Sequence, residues 1–264
     1  MADPSPPVKR TIGALKNVAS FYELVLRVRD RSPSLPNIGV MYGPSGFGKT
    51  YATLYSLNRT RGVYVEVGDT WTRKTLLTAI LQECGVYRPT GSIAEMAQQA
   101  KETLAEDPTR PLFIDEADKV CDKNYIETVR ELAMGSNVPV LLIGEEALPT
   151  KLARVERVHS RVLDWCGAMP CDLDDAQKLA DILLGQITIE PELLEQMRIE
   201  GDGRARRIAT SLDGAAHWAR NNGVTALSRA NYKGAIYTGE PPKNRAASLR
   251  VRGGASAQTS ARRA

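Results

Sequence analysis

Apolar positions along the chain follow two spacings. Short apolar runs at 37–42, 62–67, 112–115, 138–143 and 162–165 have the length and β-branched content of buried strands. Longer stretches at 11–30, 51–57, 71–84, 92–106 and 124–134 place apolar residues at helical spacing, with Thr70 positioned to cap the helix that opens at Trp71. Strands alternating with helices predict an α/β fold, a parallel sheet flanked by helices. After Pro170 the strand pattern stops, and 172–184, 191–199, 203–221 and 227–237 read as four helices. The expected organisation is a loose Pro-rich start (1–10), an α/β domain (11–171), a small C-terminal all-α lid domain (172–238) and a tail (239–264).

The segments where strands end carry the chemistry. The first strand runs into Gly43-Pro44-Ser45-Gly46-Phe47-Gly48-Lys49-Thr50, and a helix follows from Tyr51. Strand, glycine-rich loop and helix in that order form a phosphate-binding loop. Its backbone N–H groups would surround a β-phosphate at a helix start, where unpaired donors favour an anion. Lys49 would reach the β- and γ-phosphates, and Thr50 would ligate Mg²⁺. The third strand ends in the adjacent carboxylates Asp115 and Glu116. Asp115 would hold Mg²⁺ and Glu116 would polarise the attacking water. Asp118 caps the next helix in this reading.

Composition narrows the class. The proportions, 42% hydrophobic and 25% charged, are those of an ordinary globular protein. No apolar run approaches the ~20 residues of a membrane span, and the first residues lack a signal-peptide core, so a cytoplasmic protein is expected. Cys84, Cys121, Cys166 and Cys171 have no CxxC spacing, and His159 and His217 are far apart, which argues for reduced thiols and against zinc. Net charge is +4, yet Lys243, Arg245, Arg250, Arg252, Arg262 and Arg263 lie in a tail with no acid, so the rest is net negative. Such a basic, Gly/Ala/Ser-rich tail is expected to be disordered and either binds nucleic acid nonspecifically or only aids solubility.

The order of motifs resembles an AAA+ ATPase: phosphate loop, acid pair, a strand ending Ile143-Gly144-Glu145, arginines before the fifth strand, then helices with Gly201-Asp202-Gly203-Arg204. Within that superfamily the compact size, the strings Phe113-Ile114-Asp115-Glu116-Ala117-Asp118-Lys119 and Leu141-Leu142-Ile143-Gly144-Glu145, and Val158-His159-Ser160-Arg161-Val162 resemble the transposition-regulator branch, over about residues 10–238. That branch comprises the B protein of Mu-like phages and the TniB and TnsC proteins. The resemblance implies ATP and Mg²⁺ as cofactors, with nucleotide lying against Gly43, Pro44, Ser45, Gly46, Phe47, Gly48, Lys49, Thr50, Tyr51 and the lid arginine Arg204. Arg206 and Arg207 are alternatives for the last role. It implies an arginine finger, Arg161, with Arg154 and Arg157 as rivals, reaching a neighbouring subunit's nucleotide. It also implies a homo-oligomer, a helical filament wound on double-stranded DNA, which hands that DNA to a transposase in a bacterial host. DNA contacts would come from Arg73 and Lys74, after the second strand, and from Lys119 and Lys123, after the acid pair; basic groups there would neutralise phosphates whatever the base sequence. Trp71 either stacks on DNA or belongs to the core. Two departures stand out. Glu145 occupies the region where a polar Asn or Thr is usual, and ten residues ahead of the α/β unit leave no room for the extra N-terminal DNA-binding domain of the Mu protein. The rival readings are a helicase loader or replication initiator, and a slow nucleotide-switched DNA scaffold.

Overall fold

The structure is a computed structural model and describes residues 15–240; the loose start expected at 1–10 and the basic residues from 241 onward lie outside it. The elements run α1 (Lys16–Arg29), β1 (Ile38–Tyr42), α2 (Lys49–Thr60), β2 (Val63–Glu66), α3 (Arg73–Glu83), α4 (Ile93–Ala105), β3 (Leu112–Asp115), α5 (Ala117–Asp122), α6 (Ile126–Ser136), β4 (Val140–Gly144), α7 (Leu148–Ala153), α8 (Glu156–His159) and β5 (Val162–Gly167). There follow α9 (Leu173–Leu183), β6 (Thr188–Ile189), α10 (Pro191–Glu200), α11 (Ala205–Asn222) and β7 (Ala226–Leu227).

Strands β1 to β5 form one parallel sheet in the order β2-β3-β4-β1-β5. Side chains alternate across it. Met41, Phe113, Leu141 and Ile143 face a core shared with α1 and the C-terminal helices. Ile38, Val40, Leu112, Ile114, Val140 and Leu142 face a second core built with α3, α4 and α6. Burial on both faces is why these strands read as continuous apolar runs. Gly39 lets α1 close on the sheet: a Cβ there would stand 2.8 Å from Leu141 and 2.9 Å from Val28. Among the described residues no helix is long and apolar enough to cross a membrane.

The structure corrects several expected elements. Thr72, not Thr70, caps α3, accepting a bond from the Thr75 N–H at 3.2 Å. Thr70 is taken up in a turn in which the Trp71 N–H donates to the Gly68 carbonyl. Two helices, α5 and α6, flank a break at Asn124, which takes a left-handed conformation (φ 56°) that favours Asn over most side chains. Asp118 does not cap α5; the N-cap is Glu116. The expected helix at 227–237 is absent. There Asn231 accepts the Ser228 N–H and donates to the Ala226 carbonyl, and Tyr232 donates to the Ala235 carbonyl. Side chains that bond local backbone compete with helix formation in this way. The C-terminal unit is also not purely helical, since β6 and β7 form a two-stranded parallel pair.

Candidate nucleotide site

Three strands deliver the site to one edge of the sheet. The loop after β1, the acids ending β3 and the Gly144–Glu145 step ending β4 all open onto one cavity of about 90 Å³. Its lining includes Lys49, Thr50, Asp115, Glu116, Glu145 and Arg206. Crevices beyond the carboxyl ends of parallel strands are the usual ligand site of open α/β sheets.

The loop is shaped for an anion. Gly46 and Gly48 take φ of 87° and 86°, values that a residue with a Cβ adopts only under strain. Gly48 is the N-cap of α2, and no side chain caps that end, so its first-turn amides remain for a ligand. The Lys49 ammonium folds back on the loop, donating to the Gly43 carbonyl at 2.6 Å and to that of Pro44 at 3.0 Å. Burial lowers its pKa, against the opposing charges of Asp115 and Glu145. A phosphate would meet a cation held by two exchangeable neutral acceptors.

Asp115 is buried, accepting from the Glu116 N–H at 2.8 Å and from the Tyr64 hydroxyl at 3.2 Å. Burial raises its pKa, and those two bonds oppose the rise. Burial also raises the pKa of Glu116, with Lys119 pulling it down. Glu116 has φ 57°, a left-handed conformation for a non-glycine residue, and such outliers cluster at functional sites. Asp118 lies behind this pair. It accepts the Glu145 N–H at 2.6 Å and stands 3.3 Å from the Lys151 ammonium. A Cβ at Gly144 would run into the same carboxylate, which explains glycine there.

Beside the phosphate cavity lies a second, mainly apolar one of about 140 Å³, joined to it through Gly48 and Tyr51. Leu15, Phe47, Cys171, Leu179 and Ala209 line it, from the start of α1, the loop, the segment after β5, α9 and α11. Asn17 holds this assembly together. Its amide donates to the Phe47 carbonyl at 2.8 Å and the Met169 carbonyl at 2.7 Å, while its oxygen accepts the Met169 N–H at 2.9 Å. Neither Asn17 nor Tyr64 stood out in the sequence; both bond residues at least 30 positions away, and no local pattern marks such pairs.

Among the three candidate arginines before and at the start of α11, Arg206 lines the first cavity, and its backbone N–H donates to the Gly46 carbonyl at 3.1 Å. Arg204 lies on the outer side of the loop, donating to the Ser45 carbonyl at 2.6 Å with its guanidinium 5.8 Å from the Phe47 ring centre. Arg207 is not in the lining. Arg161 sits at the far end of the sheet, its carbonyl accepting the Ile38 N–H. The five residues of β1 separate it from the loop by about 16 Å. Arg154, Arg157 and Arg161 are all exposed and have no side-chain partner among the described residues.

The two basic segments proposed to meet DNA come together, although some 50 positions part them. Trp71, Arg73, Lys74, Lys123 and Tyr125 line one open cleft. Their cations differ, however. Lys123 donates to the carbonyls of Asp69 and Trp71, and Lys119 pairs with Asp69 at 3.3 Å and Glu116 at 3.7 Å. Lys74 is exposed with no side-chain partner among the described residues, and exposed Arg73 makes only a 3.4 Å contact to the Asn124 carbonyl. Trp71 is half-buried and packs on the core.

Residues 31–152 match the family model described as AAA domain. No curated protein matches the chain. Among solved structures, it is similar to the Aeropyrum pernix ORC2 protein in its ADP form, at 17% identity and TM-score 0.62, covering 86% of this chain and 68% of that one. It is similar also to the Aeropyrum pernix ORC1 protein in complex with DNA, at 19% identity and TM-score 0.60, covering 85% and 65%. A third likeness is to Cdc6p from Pyrobaculum aerophilum, at 18% identity and TM-score 0.59, covering 85% and 66%. The chain therefore spans about two thirds of the length of these structures. At such identities the likeness is one of fold, and the fold is the P-loop AAA+ parallel sheet flanked by helices.

Proposed function

We propose that the protein is an ATP-hydrolysing, sequence-nonspecific DNA-binding AAA+ protein that assembles on duplex DNA and presents it to a transposase. The observation that carries the ATPase part is the convergence of Lys49, Thr50, Asp115 and Glu116 on one cavity. Thr50 and Asp115 offer the hard oxygen donors that suit Mg²⁺, and Asp115 is held for that role by the Tyr64 hydroxyl. When bound, the ion would draw charge from the phosphoryl oxygens. Lys49 leaves the loop carbonyls for the phosphates, the uncapped amides of α2 hold the anion, and Glu116 takes the proton of the attacking water. The apolar cavity beside Phe47 takes the base. Arg206 is the lid arginine that reaches the phosphates.

Assembly is supported by Arg161. About 16 Å from its own loop, it lies too far to act there, so a finger role for it would be toward a neighbouring copy's nucleotide. Hydrolysis then depends on contact between copies. DNA binding rests on Arg73 and Lys74, the cations of the open cleft with no close partner of their own. The transposase as client rests on the sequence resemblance. A second reading, a replication initiator or helicase loader, is favoured by the fold likeness to the ORC and Cdc6 proteins.

Electron microscopy and salt-dependent binding to duplex DNA, each with ATP, with ADP and without nucleotide, test the proposal. Continuous ATP-dependent filaments, and a Lys74→Ala variant whose salt slope falls by about one phosphate contact, are expected. Absence of DNA binding at low salt would overturn it. Stimulation of strand transfer, as against loading of a replicative helicase, separates the two clients.

A further inference from the structure

Among the described residues, the lining of the apolar cavity beside the loop includes one buried carboxylate with an oxygen that makes no hydrogen bond. Asp175, on the first turn of α9, is 3% exposed and lines that cavity. Its Oδ1 accepts the Lys16 N–H at 3.0 Å, closing the start of α1. Its Oδ2 has no hydrogen bond among the described residues, and Asp175 belongs to the lining of the cavity. The neighbouring carboxylates are matched, Asp172 by Lys16 and Asp174 by Lys178 at 2.7 Å. Asn17, the other buried polar side chain in the lining, is spent on three backbone bonds. Tyr51 stands half-exposed at the mouth.

We infer that Asp175 is the specificity-determining residue of the base pocket, its Oδ2 accepting a hydrogen bond from the exocyclic 6-amino group of adenine. This rests on the nucleotide reading above. A carboxylate oxygen only accepts, so it welcomes an amino group and repels a 6-oxo group. Guanine could offer its adjacent N1–H and 2-amino donors as a pair, but that pair calls for both oxygens, and the Lys16 N–H holds one. An unmatched acceptor in apolar surroundings costs affinity, so a base without the amino group binds more weakly.

Saturable binding of an ATP analogue labelled on its ribose, displaced by ATP, GTP, inosine triphosphate and purine riboside triphosphate, tests this on the wild type and on Asp175→Asn. The wild type is expected to prefer ATP by about tenfold or more over the other three. The Asn variant keeps an oxygen for the Lys16 N–H and turns an NH₂ donor to the base, so the ratio of ATP to inosine triphosphate should shrink or invert. A merely structural role for Asp175 would weaken all four alike and leave that ratio unmoved, which overturns the inference. Equal affinities in the wild type, or preference for GTP, overturn it too, and they decide the matter even if the variant does not fold. If the labelled analogue fails to bind at all, the nucleotide reading itself falls.

Discussion

At the phosphate end of the site, one continuous loop, 43–50, and the adjacent Asp115 and Glu116 supply most of the polar groups. The apolar end draws Leu15, Phe47, Cys171, Leu179 and Ala209 from separate stretches of the chain and meets only where α1, the loop and the lid pack together. The first end is local geometry: a glycine-rich turn and a strand terminus position their groups almost unaided. The second exists only once tertiary packing is complete, with Asn17 bonding two of its three contributing segments. On the proposed function, contiguous backbone would recognise charge and tertiary assembly the base.

This contrast predicts which ligands each change should touch. Lys49→Ala is expected to have the largest effect, weakening ATP and inorganic tripolyphosphate alike by about a hundredfold in calorimetry. Equal loss for both ligands is the point; a loss for ATP alone would erase the distinction between the two ends. Ala209→Phe fills the apolar cavity, and ATP affinity should fall about tenfold while tripolyphosphate binding stays unchanged. Asn17→Ala removes three part-buried hydrogen bonds to the Phe47 and Met169 backbone and should lower unfolding stability by about 1–2 kcal/mol in urea titration. A loss near zero would mean that water replaces the side chain and that the ends are not tied through it. Tyr64→Phe should have the smallest effect. It frees the Asp115 carboxylate and should raise the Mg²⁺ concentration for half-maximal ATP binding about threefold, with binding in chelator unchanged.

The same contrast explains what could be read from the chain. The strands were legible because burial on both faces writes them as apolar runs, and the observed β3 matches its expected span, 112–115. The loop and acid pair were legible because each is contiguous. Helix ends were less so: Thr70 and Thr72 both suit a cap, and only the turn at Gly68 decides between them. The segment 227–237 has helical spacing, yet Asn231 and Tyr232 bond nearby backbone and prevent the helix. Arg204, Arg206 and Arg207 are equivalent on paper; which one faces the cavity depends on the phase of α11 as it packs on the loop. Tyr64, Asn17 and Asp175 act across the fold and left no local signature.

Helix α5 has only six residues, so it measures about 9 Å from end to end. One end begins at Glu116, twisted into a left-handed conformation at the edge of the cavity; the other ends at Lys123, latched to the loop that carries Trp71 and leads to Arg73. Lys119, midway, touches Glu116 on one side and Asp69 on the other. The acid pair and the open basic cleft thus meet one short helix, the first at its start and the second at its end.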